Sequence, residues 1–177
     1  MSRKIFNYDD ITESKIVSSL TAKKQLYENS ISACGCLFYK IVNNKVQLLL
    51  IEYDDPNWPK LDDFGGKIDE TDNELYDAIA RETSEETNNV ITCDYLLDRL
   101  KNEELKIFYE KHSKYYLVLL KASKKFHPDT SVFGDFENCD KIKRKINWYD
   151  YQTVKSKLAY RLGKNSKLID YLDSLTA

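Results

Sequence analysis

Glu82, Glu85 and Glu86 stand at the spacing i, i+3, i+4, which puts three carboxylates on one face of a helix. Leu75, Ala78 and Ile79 precede them and fall within about 100° of arc on the same face. The helix therefore begins with an apolar stripe and continues it with acids. Carboxylates crowded against a core repel one another and lose hydration, at a cost of several kcal/mol. A divalent cation relieves both, and hard oxygen donors suit Mg2+ or Mn2+. Upstream, Gly65-Gly66-Lys67 allows a turn that side chains would block, and places backbone groups where a metal or a phosphate can be met. A solvated acidic helix end is the simpler reading of Arg81-Glu82-Thr83-Ser84-Glu85-Glu86 alone, and the double glycine at this distance argues against it.

These residues resemble the signature of the Nudix hydrolases, in which a glycine and a first glutamate precede Arg-Glu-apolar-X-Glu-Glu-X-Gly-apolar. Gly65-Gly66-Lys67 resembles its opening, and Arg81, Glu82, Glu85 and Glu86 match its closing half; the whole runs from Gly65 to Asn89. The resemblance implies that Glu82, Glu85 and Glu86 bind the metal, with the backbone of Gly66 as a further donor. It also implies that Arg81 orients the acids, and an i,i+4 pairing lets it reach Glu85. Gly65, Gly66 and Lys67 are expected on the substrate side.

The chain departs from the family pattern in its spacing, at Thr83, at Asn88 and at Asn89, which is polar where an apolar residue is usual. Gly66 and Arg81 are one residue further apart than usual, so the first glutamate falls on Asp72 counted forward or Asn73 counted back. Thr83 stands where an apolar residue is usual. Asn88 replaces the closing glycine, and asparagine is the next best residue for a left-handed helix end. Thr71 with Glu74 three residues on reads as a capping box that starts the helix.

A separate general base is sought in the loop after the strand Tyr115–Lys121, as in several family members; of Asp135, Glu137 and Asp140, Glu137 is the choice. Trp58 and Tyr53 are aromatic candidates for stacking on a base. The run Lys141-Ile142-Lys143-Arg144-Lys145 is a candidate contact for the phosphates of capped RNA, although most such runs are solvated faces. His112 and His127 are isolated and are read as surface residues.

The chain has 177 residues and a net charge of -2 from 29 acidic and 27 basic residues, which leaves no overall electrostatic footprint for nucleic acid. No apolar run has membrane-spanning length and no signal-peptide core is visible, so a cytoplasmic protein without membrane association is expected. Cys34, Cys36, Cys93 and Cys139 lack the paired spacing of a zinc site and read as small hydrophobes of a reducing compartment.

Residues 1–29 read as an extension with a helix near Ile11 to Gln25, and 30–177 as one domain. Strands are expected at Ile31 to Ile41 and Val46 to Tyr53, joined by an Asn43-Asn44 hairpin, then near Val90, at Leu105 to Tyr109 and at Tyr115 to Lys121. Two helices, Tyr151 to Leu162 and Ser166 to Leu175, close the chain, with Gly163 as the cap between them. This order does not alternate simply, so the expected α/β fold is a mixed β-sheet between helices, an α/β/α sandwich as the Nudix resemblance also implies. The expected activity is metal-dependent hydrolysis of a nucleoside diphosphate-linked, nucleotide-type substrate by activated water. The alternatives are mRNA decapping, or a nucleotide- or RNA-binding module without turnover.

Overall fold

A computed structural model describes residues 6–7, 30–58, 60–123, 126 and 129–175. The expected helix near Ile11 to Gln25 and His127 lie outside the described residues. The elements are β1 Phe6–Asn7, β2 Ser30–Ile31, β3 Ala33–Val42, β4 Lys45–Tyr53, β5 Leu61–Asp62, β6 Phe64–Lys67, α1 Leu75–Glu86, α2 Cys93–Asn102, β7 Lys106–Glu110, β8 Tyr115–Lys121, β9 Arg144–Asp150, α3 Tyr151–Val154, α4 Tyr160–Gly163 and α5 Ser166–Ser174.

The two asparagines of the first hairpin take φ 50° and 59°, so β3 and β4 pair antiparallel from Val42 and Lys45 outwards. The main sheet runs β5-β4-β3-β8-β7, with β6 joined to β3 and β9 to β4. It is mixed: β3 and β8 are parallel and the other pairs antiparallel. β3 changes partner along its length. Its first half pairs with β6, placing Gly35 opposite Gly65 and Cys34 opposite Gly66, and its second half pairs with β4. The sheet thus forks where the glycine strand begins.

Helices cover both faces, which is why β4 and β8 are continuous apolar runs. On one face Cys34, Cys36, Phe38, Tyr116, Val118 and Leu120 pack with Leu75, Ala78 and Ile79 of α1 and with Leu96 and Leu100 of α2. On the other, Leu37, Leu48, Tyr115, Leu117 and Leu119 pack with Leu162, Leu168 and Leu172 of the closing helices. The expected α/β/α sandwich with a mixed sheet is the architecture observed, and Cys34 and Cys36 are buried as small core residues. Among the described residues, no helix is long and apolar enough to cross a membrane.

Several local expectations are corrected. Helix α1 starts at Leu75 with Glu74 as its N-cap, and the box is formed by Asp77, whose carboxylate accepts from the Glu74 N–H at 3.0 Å. Thr71 instead belongs to a turn whose N–H donates to Asp69. Val90 is not in a strand: α1 ends in a turn and Thr92 caps α2, its hydroxyl accepting from the Tyr95 N–H. Strand β9 takes in Arg144 and Lys145 of the basic run and pairs antiparallel with β4 from Gln47 to Tyr53. The expected helix from Tyr151 to Leu162 is broken at Leu158, which bridges to Leu61 while the Ala159 N–H donates to the Leu61 carbonyl. Gly163 lies inside α4, whose cap is Lys164.

Candidate active site

Arg81 is the hub of the acidic helix. Its Nε and Nη2 donate to the two carboxylate oxygens of Asp72, both at 3.0 Å. Nη2 also reaches the Lys67 carbonyl, and Nη1 is shared between Glu82 at 2.9 Å and Glu85 at 3.2 Å. The fork geometry of guanidinium makes such bidentate holding specific to arginine. Of the two positions counted for the first glutamate, Asp72 is the one Arg81 holds: it is buried, and one of its oxygens also accepts the Asp69 N–H. The longer spacing before Arg81 is taken up in the loop between β6 and α1.

Glu86 faces the glycine strand. One carboxylate oxygen accepts the Gly65 N–H at 2.7 Å and the other the Tyr53 hydroxyl at 3.1 Å. Burial, with Asp63, Glu82 and Glu137 nearby, holds its pKa well above the usual carboxylate range. Burial also raises Glu82, against the pull of Arg81. The two glycines are required by what stands over them. A side chain at Gly66 would collide with the Glu82 carboxylate, and one at Gly65 with the Tyr115 hydroxyl and the Cys34 backbone.

Among the described residues, no three acids, histidines or cysteines already converge on one point at ligand distance, since Arg81 holds Glu82 and Glu85 while Gly65 and Tyr53 hold Glu86. The donor set nonetheless fits a hard divalent cation. It offers three carboxylates beside a glycine cradle, two of them with pKa raised by burial and like charge, which is the excess that a cation neutralises.

Glu137 is brought to this face. It is 5% exposed and feels Glu85, and burial followed by neighbouring Asp140 raises its pKa. Asp135 and Asp140 are exposed. Trp58 is 45% exposed in a turn where its N–H donates to the Asp55 carbonyl. A cleft of about 370 Å³ is lined by Glu52, Tyr53, Asp54, Asp135, Lys143, Arg144 and Lys145, of which Tyr53 and Arg144 also contact Glu86. Tyr53 and part of the basic run thus reach the site, whereas Trp58 is outside the lining of this cleft.

Two contributors are not legible in the signature. Arg144, almost fully buried, donates to the Glu86 carbonyl and to the Gly134 carbonyl, bracing the end of α1. Behind the glycines, the Asp63 carboxylate accepts from Arg161 at 2.9 Å and from the Tyr115 hydroxyl at 2.6 Å, and Arg161 also meets Asp62 at 3.1 Å. Arg161 is ninety-eight residues from Asp63 in sequence, and no local pattern marks it. The adjacent acids Asp62-Asp63, set between the apolar Leu61 and Phe64, were the available signal.

A model of the NUDIX domain matches residues 36–170, most of the chain. The chain belongs to the Nudix family of hydrolases. Solved structures similar to it include a Caenorhabditis elegans Ap4A hydrolase in a binary complex, 19% identical over 81% of this chain and 98% of that one, TM-score 0.44. The NUDIX domain of Shewanella oneidensis NrtR complexed with ADP ribose is 14% identical over 83% and 88%, TM-score 0.47. A NUDIX hydrolase from Nitrosomonas europaea is 14% identical over 81% and 89%, TM-score 0.43. A search of curated proteins finds no match to this chain.

Proposed function

We propose that the protein is a Mg2+- or Mn2+-dependent pyrophosphohydrolase that cleaves a phosphoanhydride in a nucleoside diphosphate-linked substrate. The observation that carries this reading is the placement of Glu82 against Gly66 and of Glu86 on the Gly65 N–H, with Arg81 tied to Asp72, Glu82 and Glu85. When bound, a divalent cation supplies charge neutralisation at the phosphate oxygens and lowers the pKa of water. The chain's own residues do the rest. Glu82, Glu85, Glu86 and the Gly66 backbone would hold the ion, and Arg81 keeps the acids from repelling one another out of place.

Glu137 is the proposed general base. Its buried carboxyl has a pKa raised in the direction that proton removal near neutral pH needs. Gly65, Gly66 and Lys67 border the diphosphate, and Tyr53 borders the neighbouring cleft, where the remainder of the substrate would lie. No serine, cysteine or histidine with a base partner was apparent in the sequence, so attack is assigned to water without a covalent enzyme intermediate.

Capped RNA is a second reading favoured by one observation: Lys143, just before β9, and Lys145, within it, line the cleft, where phosphates of a longer chain would pass. A panel of nucleoside diphosphate-linked compounds, dinucleotides, inositol pyrophosphates and capped RNA, assayed with Mg2+ and with Mn2+ and read by mass, separates the two. Turnover of the nucleotide compounds is expected. Release of cap alone favours the second reading, and no turnover of any phosphoanhydride contradicts both.

A further inference from the structure

Asn88 occupies the position where the family signature closes on glycine, and the structure gives that asparagine work a glycine could not do. Its backbone takes φ 53°, the left-handed conformation that ends α1, with Asn89 beside it at φ 61°. Its side chain reaches the loop after β8. Nδ2 donates to the Phe133 carbonyl at 2.9 Å and to the Phe136 carbonyl at 2.7 Å, and Oδ1 accepts the Asn138 N–H at 2.9 Å. Both amide hydrogens and the amide oxygen are thus spent on one segment. Two of the three bonds fall on the residues immediately before and after Glu137.

Two backbone ties hold the same segment from the other side. The Glu137 N–H donates to the Ile142 carbonyl at 2.9 Å, and the Arg144 N–H to the Asp135 carbonyl at 2.9 Å. Glu137 is therefore held between the end of α1, two residues past Glu86, and the approach to β9.

We propose that Asn88 is a positioning residue that fixes the 133–138 loop to the end of α1 and thereby holds the Glu137 carboxyl against the glutamate face. This rests on the reading of Glu137 as general base. Asn88→Gly is the informative substitution, because glycine keeps the left-handed helix end at no steric cost and removes only the three side-chain bonds.

The test is a double-mutant cycle of Asn88→Gly and Glu137→Gln, with hydrogen exchange of the 136–138 amides followed by mass in the same proteins. Asn88→Gly is expected to lower kcat about 10-fold or more with little change in KM, as removal of an outer orienting partner does. In the Glu137→Gln background it should add less than about twofold. Exchange at 136–138 should quicken in Asn88→Gly. Wild-type kcat in Asn88→Gly, or losses that simply multiply in the double variant, overturns the proposal. If Glu137→Gln leaves kcat unchanged, the base assignment falls. The anchoring role is then decided by exchange, which needs no substrate: quickened exchange upholds it and unchanged exchange overturns it.

Discussion

Glu86→Gln is expected to lower turnover by at least about 100-fold while the protein stays folded, since even outer partners of a metal site cost 10–100-fold when removed. The substitution is nearly isosteric. The glutamine oxygen can still accept the Gly65 N–H, and its amide can donate to the Tyr53 hydroxyl, which reverses its role. What disappears is one charge on the acidic face, together with an unfavourable buried anion. The thermal midpoint without added metal should therefore stay the same or rise, and any increment given by Mg2+ should shrink. Turnover within about threefold of wild type at limiting Mg2+ would remove Glu86 from the site. Loss of the folded state would show that the carboxylate is needed for structure instead.

Arg161→Met is expected to be the most damaging single change to stability, at about 3–5 kcal/mol, because it removes the cation shared by two buried aspartates while leaving the aspartates in place. Burial and neighbouring Asp63, against the pull of Arg161, push the Asp62 carboxyl up to about 8. A carboxyl whose pKa is raised by folding binds protons more tightly in the folded state. Its stabilising contribution is present below its unfolded pKa and is lost as pH rises through the folded value. Without Arg161 the rise is larger, and because Asp62 is already protonated in the folded wild type below about 8, the deficit of the variant should be greater at about pH 9.5 than at about pH 7. Urea midpoints of wild type and variant at the two pH values check this. A deficit below about 1 kcal/mol at about pH 9.5, or one that shrinks as pH rises, would show that Arg161 is not the counter-charge of this pair.

The parts of this protein that were readable in advance are those set by local rules. The Asn43-Asn44 turn, the apolar runs of β4 and β8 and the left-handed Asn88 each follow from dihedral preference or two-sided burial, and each is found. The i,i+4 pairing of Arg81 with Glu85 is also present. What sequence misplaced depends on partners far along the chain. Thr71 reads as a cap, but the Glu74 N–H finds Asp77, and Asp72 is taken by Arg81 instead. Lys141 to Lys145 read as a solvated run, yet β4 recruits Arg144 and Lys145 into a strand and Arg144 is buried. The break at Leu158 arises because Leu61 offers a backbone partner. It leads into the short helix α4, which carries Arg161 to Asp63. No periodicity reports such pairings, so the counter-charge behind the glycines was invisible until the sheet was assembled.

The central claim is that these glutamates and a divalent cation direct water onto a phosphoanhydride. It is tested most directly by hydrolysis of the best substrate of the panel in oxygen-18 water, with Mg2+ present or chelated, for wild type and for Glu85→Gln/Glu86→Gln. The expected result is a single label on one product phosphate, dependent on Mg2+ and absent from the double variant. Label in a sugar or base hydroxyl, a trapped phospho-enzyme, or undiminished turnover by the double variant would contradict it.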